Sequence, residues 1–292
     1  MVSVVIPFYS NIGWLTEAIE SVLKQSYNDL EIIVINDGSN EDDLSFLDIY
    51  AEKIKYFKYH NQGPAKARNI GIEKAQGEFI AFLDSDDLWD ANKIEVQLSY
   101  MKENNLTWSH TSYSLFDDIT GDHLREIDVS SFSGDVFIKC LISSPIATPC
   151  IMVKRDFLIN NPEVRFSEKM RYGQDGFMWL NISSHEPLGV IPRTLSRVRI
   201  RGGNAALRAK VYLKVKAQIW DFMVEKMKLR DKRYIYIPFL IKIAYRFCAF
   251  NNQVMDAVER KFGLSEKKLE TLARILYLPS YVLLKIEKFV VK

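Results

Sequence analysis

Three carboxylates fall within four positions at Asp84, Asp86 and Asp87, directly after the apolar run Phe79–Leu83. That run has the branched and aromatic residues of a buried strand, so the acids sit at a strand tip. Like charges crowded at one tip repel each other and raise their pKa values unless a cation lies among them. Hard oxygen ligands in that position suit Mg²⁺ or Mn²⁺, and such an ion suits a diphosphate. The plain alternative is an acidic turn capping the next helix, since Asp is favoured at N-caps. The strand-end position and the neighbouring motifs favour the cation.

Two further sets of residues could do chemistry. Asp175 stands where the charged loop from Met170 meets the apolar helix start Phe177-Met178-Trp179-Leu180, as an N-cap or as a base. Arg197, Arg199 and Arg201 alternate along an expected final strand, Leu195–Ile200, and so share one face. Beside an anionic ligand that face neutralises charge; elsewhere it is a solvated edge that resists aggregation. No G-x-G-x-x-G follows the first strand and no G-x-x-x-x-G-K-[ST] occurs. A nucleotide would therefore be held by side chains and a metal rather than by a glycine-rich turn.

The elements that must position these groups alternate. Val2–Pro7, Leu30–Ile35, Ile54–Tyr59 and Phe79–Leu83 read as strands. Between them lie helical stretches at Trp14–Gln25, Asp42–Ala51 and Ala65–Ala75. This alternation predicts an α/β fold, with a mostly parallel central sheet flanked by helices. Ligands of such sheets bind beyond the carboxyl ends of the strands. Phe8-Tyr9, Asp37-Gly38-Ser39 and Asp84-Ser85-Asp86 are thereby expected on one rim. Further on, the pattern predicts a helix at Asn92–Lys102, a hairpin turn at Asp117–Asp122, a short helix at Val136–Ile142 and a strand at Ile146–Val153.

The chain of 292 residues has room for one large α/β domain and a helical extension. Its net charge of +2 hides an asymmetry. Residues 1–204 carry 20 Lys and Arg against 29 Asp and Glu, whereas residues 205–292 carry 19 against 8. An acidic body with a basic extension points to two jobs and sets the expected domains at 1–204 and 205–292. Cys140, Cys150 and Cys248 show no C-x-x-C spacing and read as core residues of a reducing compartment. The N-terminus has no basic flank or cleavage pattern, so it is expected to be a first strand rather than a signal peptide.

Five segments in order carry a resemblance: Val4-Val5-Ile6-Pro7-Phe8-Tyr9, Ser21-Val22-Leu23-Lys24-Gln25-Ser26, Glu31 to Ser39, Ala67-Arg68-Asn69-Ile70-Gly71 and Phe82-Leu83-Asp84-Ser85-Asp86-Asp87. Over about residues 1–204 the chain resembles the family 2 inverting glycosyltransferases of the GT-A fold, in particular the bacterial polysaccharide and lipopolysaccharide branch. The resemblance implies that Pro7, Phe8 and Tyr9 line the nucleoside pocket and that Asp37 accepts from the uracil N–H. It implies that Arg68 approaches the nucleotide, that Asp84 with Ser85 meets the ribose or sugar, and that Asp86 holds Mn²⁺ or Mg²⁺. Asp175 matches the family's base in a pair usually written Glu-Asp; here the pair is Gln174-Asp175. Arg201 stands where the family often has a histidine, and the resemblance implies that it contacts the diphosphate rather than ligating metal; Arg199 is expected among the donor-binding residues.

The implied activity is transfer of a sugar, with inversion, from a nucleotide sugar to a saccharide acceptor, a UDP-sugar and a lipid-linked glycan being expected. A sugar-phosphate nucleotidyltransferase would need a lysine-bearing phosphate loop that Phe8–Gly13 lacks. A catalytically inactive binding or scaffold protein on the same fold is the other alternative. Residues 205–292 read as helices: Ala205–Lys228, Tyr234–Phe250, Asn252–Phe262, Ser265–Leu276 and Ser280–Val291. The last sets Val282, Ile286 and Phe289 on one face and Lys285, Lys288 and Lys292 on another. That pattern fits a helix lying on an anionic membrane surface, with packing on the core or a homodimer interface as alternatives. The expected location is cytoplasmic, peripheral to the inner face of the cell membrane. Nothing in the basic extension interleaves aromatics and arginines as a nucleic-acid module does.

Overall fold

The structure is a computed structural model and describes residues 1–201 and 209–290. The chain divides into two compact units. The first comprises Met1–Val136, Pro145–Lys169 and Gln174–Gly202; the second comprises Phe137–Ser144, Met170–Gly173 and Gly203–Lys292. The boundary expected at residue 204 lies outside the described residues.

Among the described residues the first unit is built on nine strands: β1 Val2–Phe8, β2 Leu30–Asp37, β3 Lys55–Tyr59, β4 Phe79–Phe82, β5 Leu88–Trp89, β6 Trp108–Asp117, β7 His123–Ile127, β8 Ile151–Lys154 and β9 Leu188–Ile200. They form one sheet in the order β3-β2-β1-β4-β8-β6-β9-β5, with β7 paired to β6. The first four strands are parallel, as the strand–helix alternation requires. Beyond β4 the sheet is mixed: β8 runs antiparallel to both β4 and β6, β6 runs parallel to β9, and β5 antiparallel to β9. The β6–β7 pairing is a hairpin whose turn is held by Asp117, which accepts from the amides of Ile119 and Thr120 at 2.9 and 3.0 Å. Pro149 sits in a 3₁₀ turn at Thr148–Cys150, so β8 starts only at Ile151 rather than at Ile146.

The helices Ile12–Leu23, Leu44–Tyr50 and Pro64–Lys74 alternate with the parallel strands and flank them. Ile12–Leu23 buries Leu15, Ala18, Ile19 and Val22 on the sheet. It begins ahead of Trp14 because Asn11, at φ 66°, caps it by accepting from the Trp14 amide. Pro64–Lys74 opens with Pro64 behind Gly63 and lies close on β1 at Gly71. A Cβ at Gly71 would come within 2.2 Å of Val5 Cγ1, so only glycine permits this approach. Deep in the mixed half lies a polar cluster. Lys93 is fully buried, with Nζ 3.8 Å from the Trp89 ring centroid and no hydrogen-bond partner. Gln97 Oε1, His110 Nδ1 and Thr111 Oγ1 are likewise buried without partners.

The second unit is helical: Phe137–Ile142, Ala209–Lys228, Lys232–Ile235, Phe239–Phe262 and Glu266–Val290. Its core includes Ala209, Leu213, Cys248, Met255, Leu269 and Ala273. The breaks expected near residue 251 and before Ser280 do not occur. Asn251 is buried and donates to the Leu276 carbonyl at 2.7 Å, so this polar residue serves packing inside a continuous helix. Pro279 sits inside Glu266–Val290 on the exposed side, where the carbonyl it leaves unbonded can meet water. The expected start at Ala205 lies outside the described residues.

Candidate active site

The carboxyl ends of β1, β2 and β4 open on one cleft of about 370 Å³. Pro7, Phe8 and Tyr9 come from the first, Asp37 from the second, and Asp84, Ser85 and Asp86 follow the fourth. Arg68 on the helix Pro64–Lys74 and Arg201 just past β9 complete the lining. Phe8 is 1% exposed and belongs to the core, so it floors the cleft, whereas Tyr9 is 52% exposed at its mouth. Both oxygens of Asp37 accept backbone amides, Gln62 N and Gly63 N, at 2.8 Å each. This pins the end of β2 to the turn that launches the Arg68 helix. The next residue, Gly38, has φ +81°, and a Cβ there would meet Asn61 N at 2.6 Å.

Charge on this rim is paired side by side. Arg68 is buried, and its Nη2 lies 2.5 Å from Asp84 Oδ1. Burial alone would weaken the guanidinium, but Asp84, with smaller help from Asp175 and Asp86, raises its pKa instead. Asp86 Oδ2 is 2.7 Å from Arg201 Nη2. Its carboxyl is nevertheless pushed above the usual carboxylate range, first by burial and then by Asp84. Asp87 behaves differently. It is buried behind the turn, accepts the Arg199 amide at 2.8 Å, and is raised further by burial and by both neighbouring acids.

Arg199 lies outside the cleft lining. Its side chain is 6% exposed, and its donors go to the Asp86 carbonyl at 2.8 Å, Glu17 at 2.5 Å and Asp118 at 3.2 Å. Its guanidinium sits 5.2 Å from the Trp14 centroid and 4.7 Å from that of Phe116. A strand alternates its faces, so Arg199 and Arg201 share a side, but only Arg201 reaches the cleft.

Asp175 also lies off the lining, in the first turn of the helix Gln174–Ser183, where its Oδ1 accepts the Gly176 amide at 2.8 Å. Its charge reaches Arg68, which puts both near the same rim. The helix is anchored there by three rings. Phe82, two residues before Asp84, packs with Phe166 and Trp179 at centroid distances of 5.3 and 5.8 Å, and those two pack at 5.4 Å. Asn69, beside Arg68, holds the same segment: its Nδ2 donates to the Phe166 carbonyl at 2.9 Å and its Oδ1 accepts the Phe166 amide at 3.0 Å.

Trp14 and Asn61 line the cleft without having been legible as site residues. Trp14 lies 5.3 Å from the Arg201 guanidinium as well. Its signal was only its place one turn beyond Phe8-Tyr9, and a lone tryptophan at a helix start usually means packing.

The rim suits a divalent cation. Asp84 and Asp86 supply hard oxygens, and the raised Asp86 carboxyl is a charge that a cation would relieve. Among the described residues, no group of three or more His, Cys, Asp or Glu side chains is arranged to hold a metal. An ion here would take its remaining ligands from phosphate oxygens and water.

A parallel β3-β2-β1-β4 half extended by mixed strands, with a polar cleft at its carboxyl edge, is the GT-A fold. The crystal structure of S. aureus TarS 1-349 in complex with UDP-GlcNAc shares it, with a TM-score of 0.66 at 18% identity over 96% of this chain and 89% of that one. The chain belongs to glycosyl transferase family 2, which its residues 3–159 match. A Rickettsia bellii protein named as an uncharacterized glycosyltransferase is 49% identical over 206 residues, 70% of this chain and 29% of that one. The chain thus spans under a third of that relative's length. An Escherichia coli relative, UDP-Glc:alpha-D-GlcNAc-diphosphoundecaprenol beta-1,3-glucosyltransferase WfgD, is 29% identical over 86% of this chain and 96% of its own.

Proposed function

We propose that this glycosyltransferase moves a hexosyl or N-acetylhexosaminyl group, with inversion, from a UDP-sugar to a hydroxyl of a lipid-linked saccharide. The observation that carries the reading is the pairing of Asp84 with Arg68 and of Asp86 with Arg201 at the mouth of the strand-end cleft. The names of the TarS complex and of WfgD support the donor and the lipid-linked acceptor. The transferase domain is residues 1–204 and the helical extension 205–292. With such an acceptor, the protein works at the cytoplasmic face of the cell membrane, in surface polysaccharide synthesis.

Tyr9, with the floor at Pro7 and Phe8, receives the base, and Asp37 has lone pairs left for its N–H after bonding the turn. Asp84 and Ser85 face the ribose and sugar. Mn²⁺ or Mg²⁺ bound at Asp86 would neutralise the diphosphate. Arg201 adds a mobile cation to the same phosphates, leaving Asp86 to the metal. Arg199 is not a ligand but holds the Asp86 backbone in place. Asp175 takes the proton of the acceptor hydroxyl as its oxygen attacks the anomeric carbon. The bond from that carbon to the phosphate oxygen breaks, and its electron pair leaves with UDP.

Asp175→Asn should keep UDP-sugar affinity by calorimetry and lower turnover by roughly 10²–10⁴-fold. Near-normal turnover removes Asp175 as the base. Wild-type protein that binds the donor but neither transfers nor hydrolyses it with Mn²⁺ present would be a binding protein instead.

A further inference from the structure

The second unit has two apolar faces where a globular bundle needs one. In the helix Glu266–Val290, Leu269, Ala273, Ser280 and Leu284 are buried on one side. On the other, Ile275, Leu278, Val282 and Ile286 recur every three or four residues and are 46–63% exposed. The helix Phe239–Phe262 repeats the arrangement, with Ile241, Ala244 and Cys248 inside and Phe239, Phe247 and Phe250 exposed. Ser280 Oγ donates to the Ala244 carbonyl at 2.9 Å, and Asn251 Nδ2 to the Leu276 carbonyl at 2.7 Å. These bonds register the antiparallel pair, setting Phe247 and Phe250 level with Leu278 and Ile275, and Phe239 level with Ile286.

Charge is segregated along the same pair. Phe239–Phe250 and Arg274–Val290 contain Lys242, Arg246, Arg274, Lys285 and Lys288. Their single acid, Glu287, is buried, while Asp256, Glu259 and Glu266 lie toward the far end and Glu270, at the border, pairs with Arg274 at 3.4 Å. A second copy docked symmetrically here would bring these cations together. An anionic surface with an apolar interior complements both properties at once. No helix among the described residues is long and apolar enough to cross a membrane, so the surface can lie on a bilayer but not span it.

We propose that this end of the helix pair docks on an anionic phospholipid bilayer. Ile275, Leu278, Val282, Ile286 and the exposed phenylalanines enter the headgroup–acyl boundary while the cations meet the headgroups. The inference rests on, and deepens, the proposed lipid-linked acceptor, but its test reads adsorption rather than turnover.

The 292-residue chain is floated with phosphatidylcholine vesicles carrying about 30% phosphatidylglycerol, and with phosphatidylcholine alone, at about 0.1 M salt. The expected result is retention on the anionic vesicles and release at about 1 M salt. Leu278→Glu with Ile286→Glu should lower the bound fraction by about tenfold. Both positions are exposed, so the melting temperature should hold. Arg274→Gln with Lys285→Gln should weaken binding to anionic vesicles while leaving the fold intact. Failure of the wild type to float, or equal flotation of both double variants, overturns the proposal. A wild-type dimer by light scattering that the glutamate variant converts to monomer, without vesicle binding, assigns the face to self-association and also overturns it.

Discussion

The sheet unit buries charge on the rim after β4 and in the cluster around Lys93, and the two differ in what stands beside it. On the rim, Asp84 and Asp86 each have an arginine within 2.7 Å, and both face a cleft. In the interior, Lys93 has only the face of Trp89, and burial pulls its pKa down to about 7. Burial and the nearby Lys93 lower His110 to about 3, and burial lifts Cys150 to about 12. In the interior burial favours the neutral forms and, among the described residues, no counter-charge stands beside them; on the rim burial raises Asp86 and Asp87 too, but Asp84 and Asp86 lie beside arginines where a ligand can reach them. On the proposed function, dense charge with partners and an opening marks the reactive rim, and dense polarity without them marks a tolerated cost of packing.

The sharpest test of this contrast is Arg199→Met. It removes the guanidinium from Glu17, Asp118 and the Asp86 carbonyl, and urea denaturation should show a loss of about 3 kcal/mol. If Arg199 only supports the rim, Arg199→Lys should recover most of the stability and, with it, the Mn²⁺-dependent UDP affinity. Stability recovered without affinity would make Arg199 a ligand instead.

Lys93→Met should act in the opposite direction, stabilising by about 2 kcal/mol at pH 6. Because the folded pKa of about 7 lies below the unfolded value of 10.5, the unfolded chain binds a proton that the folded one lacks between these pH values. Wild-type stability therefore gains from this group as pH rises from about 7 to 10.5, and the variant should lose that slope. Turnover should be unchanged. A destabilised Lys93→Met would mean that the amine has a buried partner.

The smallest expected effect is at the rim itself. Asp86→Asn should weaken Mn²⁺-dependent UDP binding by about tenfold, with little change when the metal is omitted. Equal weakening under both conditions would assign Asp86 to the nucleotide rather than to a cation.

The parallel half and the rim were legible because each strand is a short apolar run ended by polar residues, and such endings must converge in a parallel sheet. Arg201 was legible as a residue type that reaches the cleft, whereas Asp175 lies off its lining, and the neighbours of both were not legible. Arg197, Arg199 and Arg201 look equivalent by alternation. What separates them is long-range: Glu17 and Asp118 come from distant segments to occupy Arg199. Trp14 was hidden for the same reason, since its partners lie almost two hundred residues away. In the helical unit the errors ran the other way. Asn251 and Pro279 signal breaks locally, but the packing of neighbouring helices carries the backbone through both.

Asn69 meets the amide and the carbonyl of Phe166 much as a neighbouring strand would, yet it does so from a helix. The two ends of a long intervening stretch, from Lys74 to Arg165, are thereby fastened independently of its length. Loops within that stretch can lengthen or change without shifting Arg68 against the ring trio beneath the Gln174–Ser183 helix. On the proposed function, a change of recipient could be made in such loops while Arg68 keeps its station.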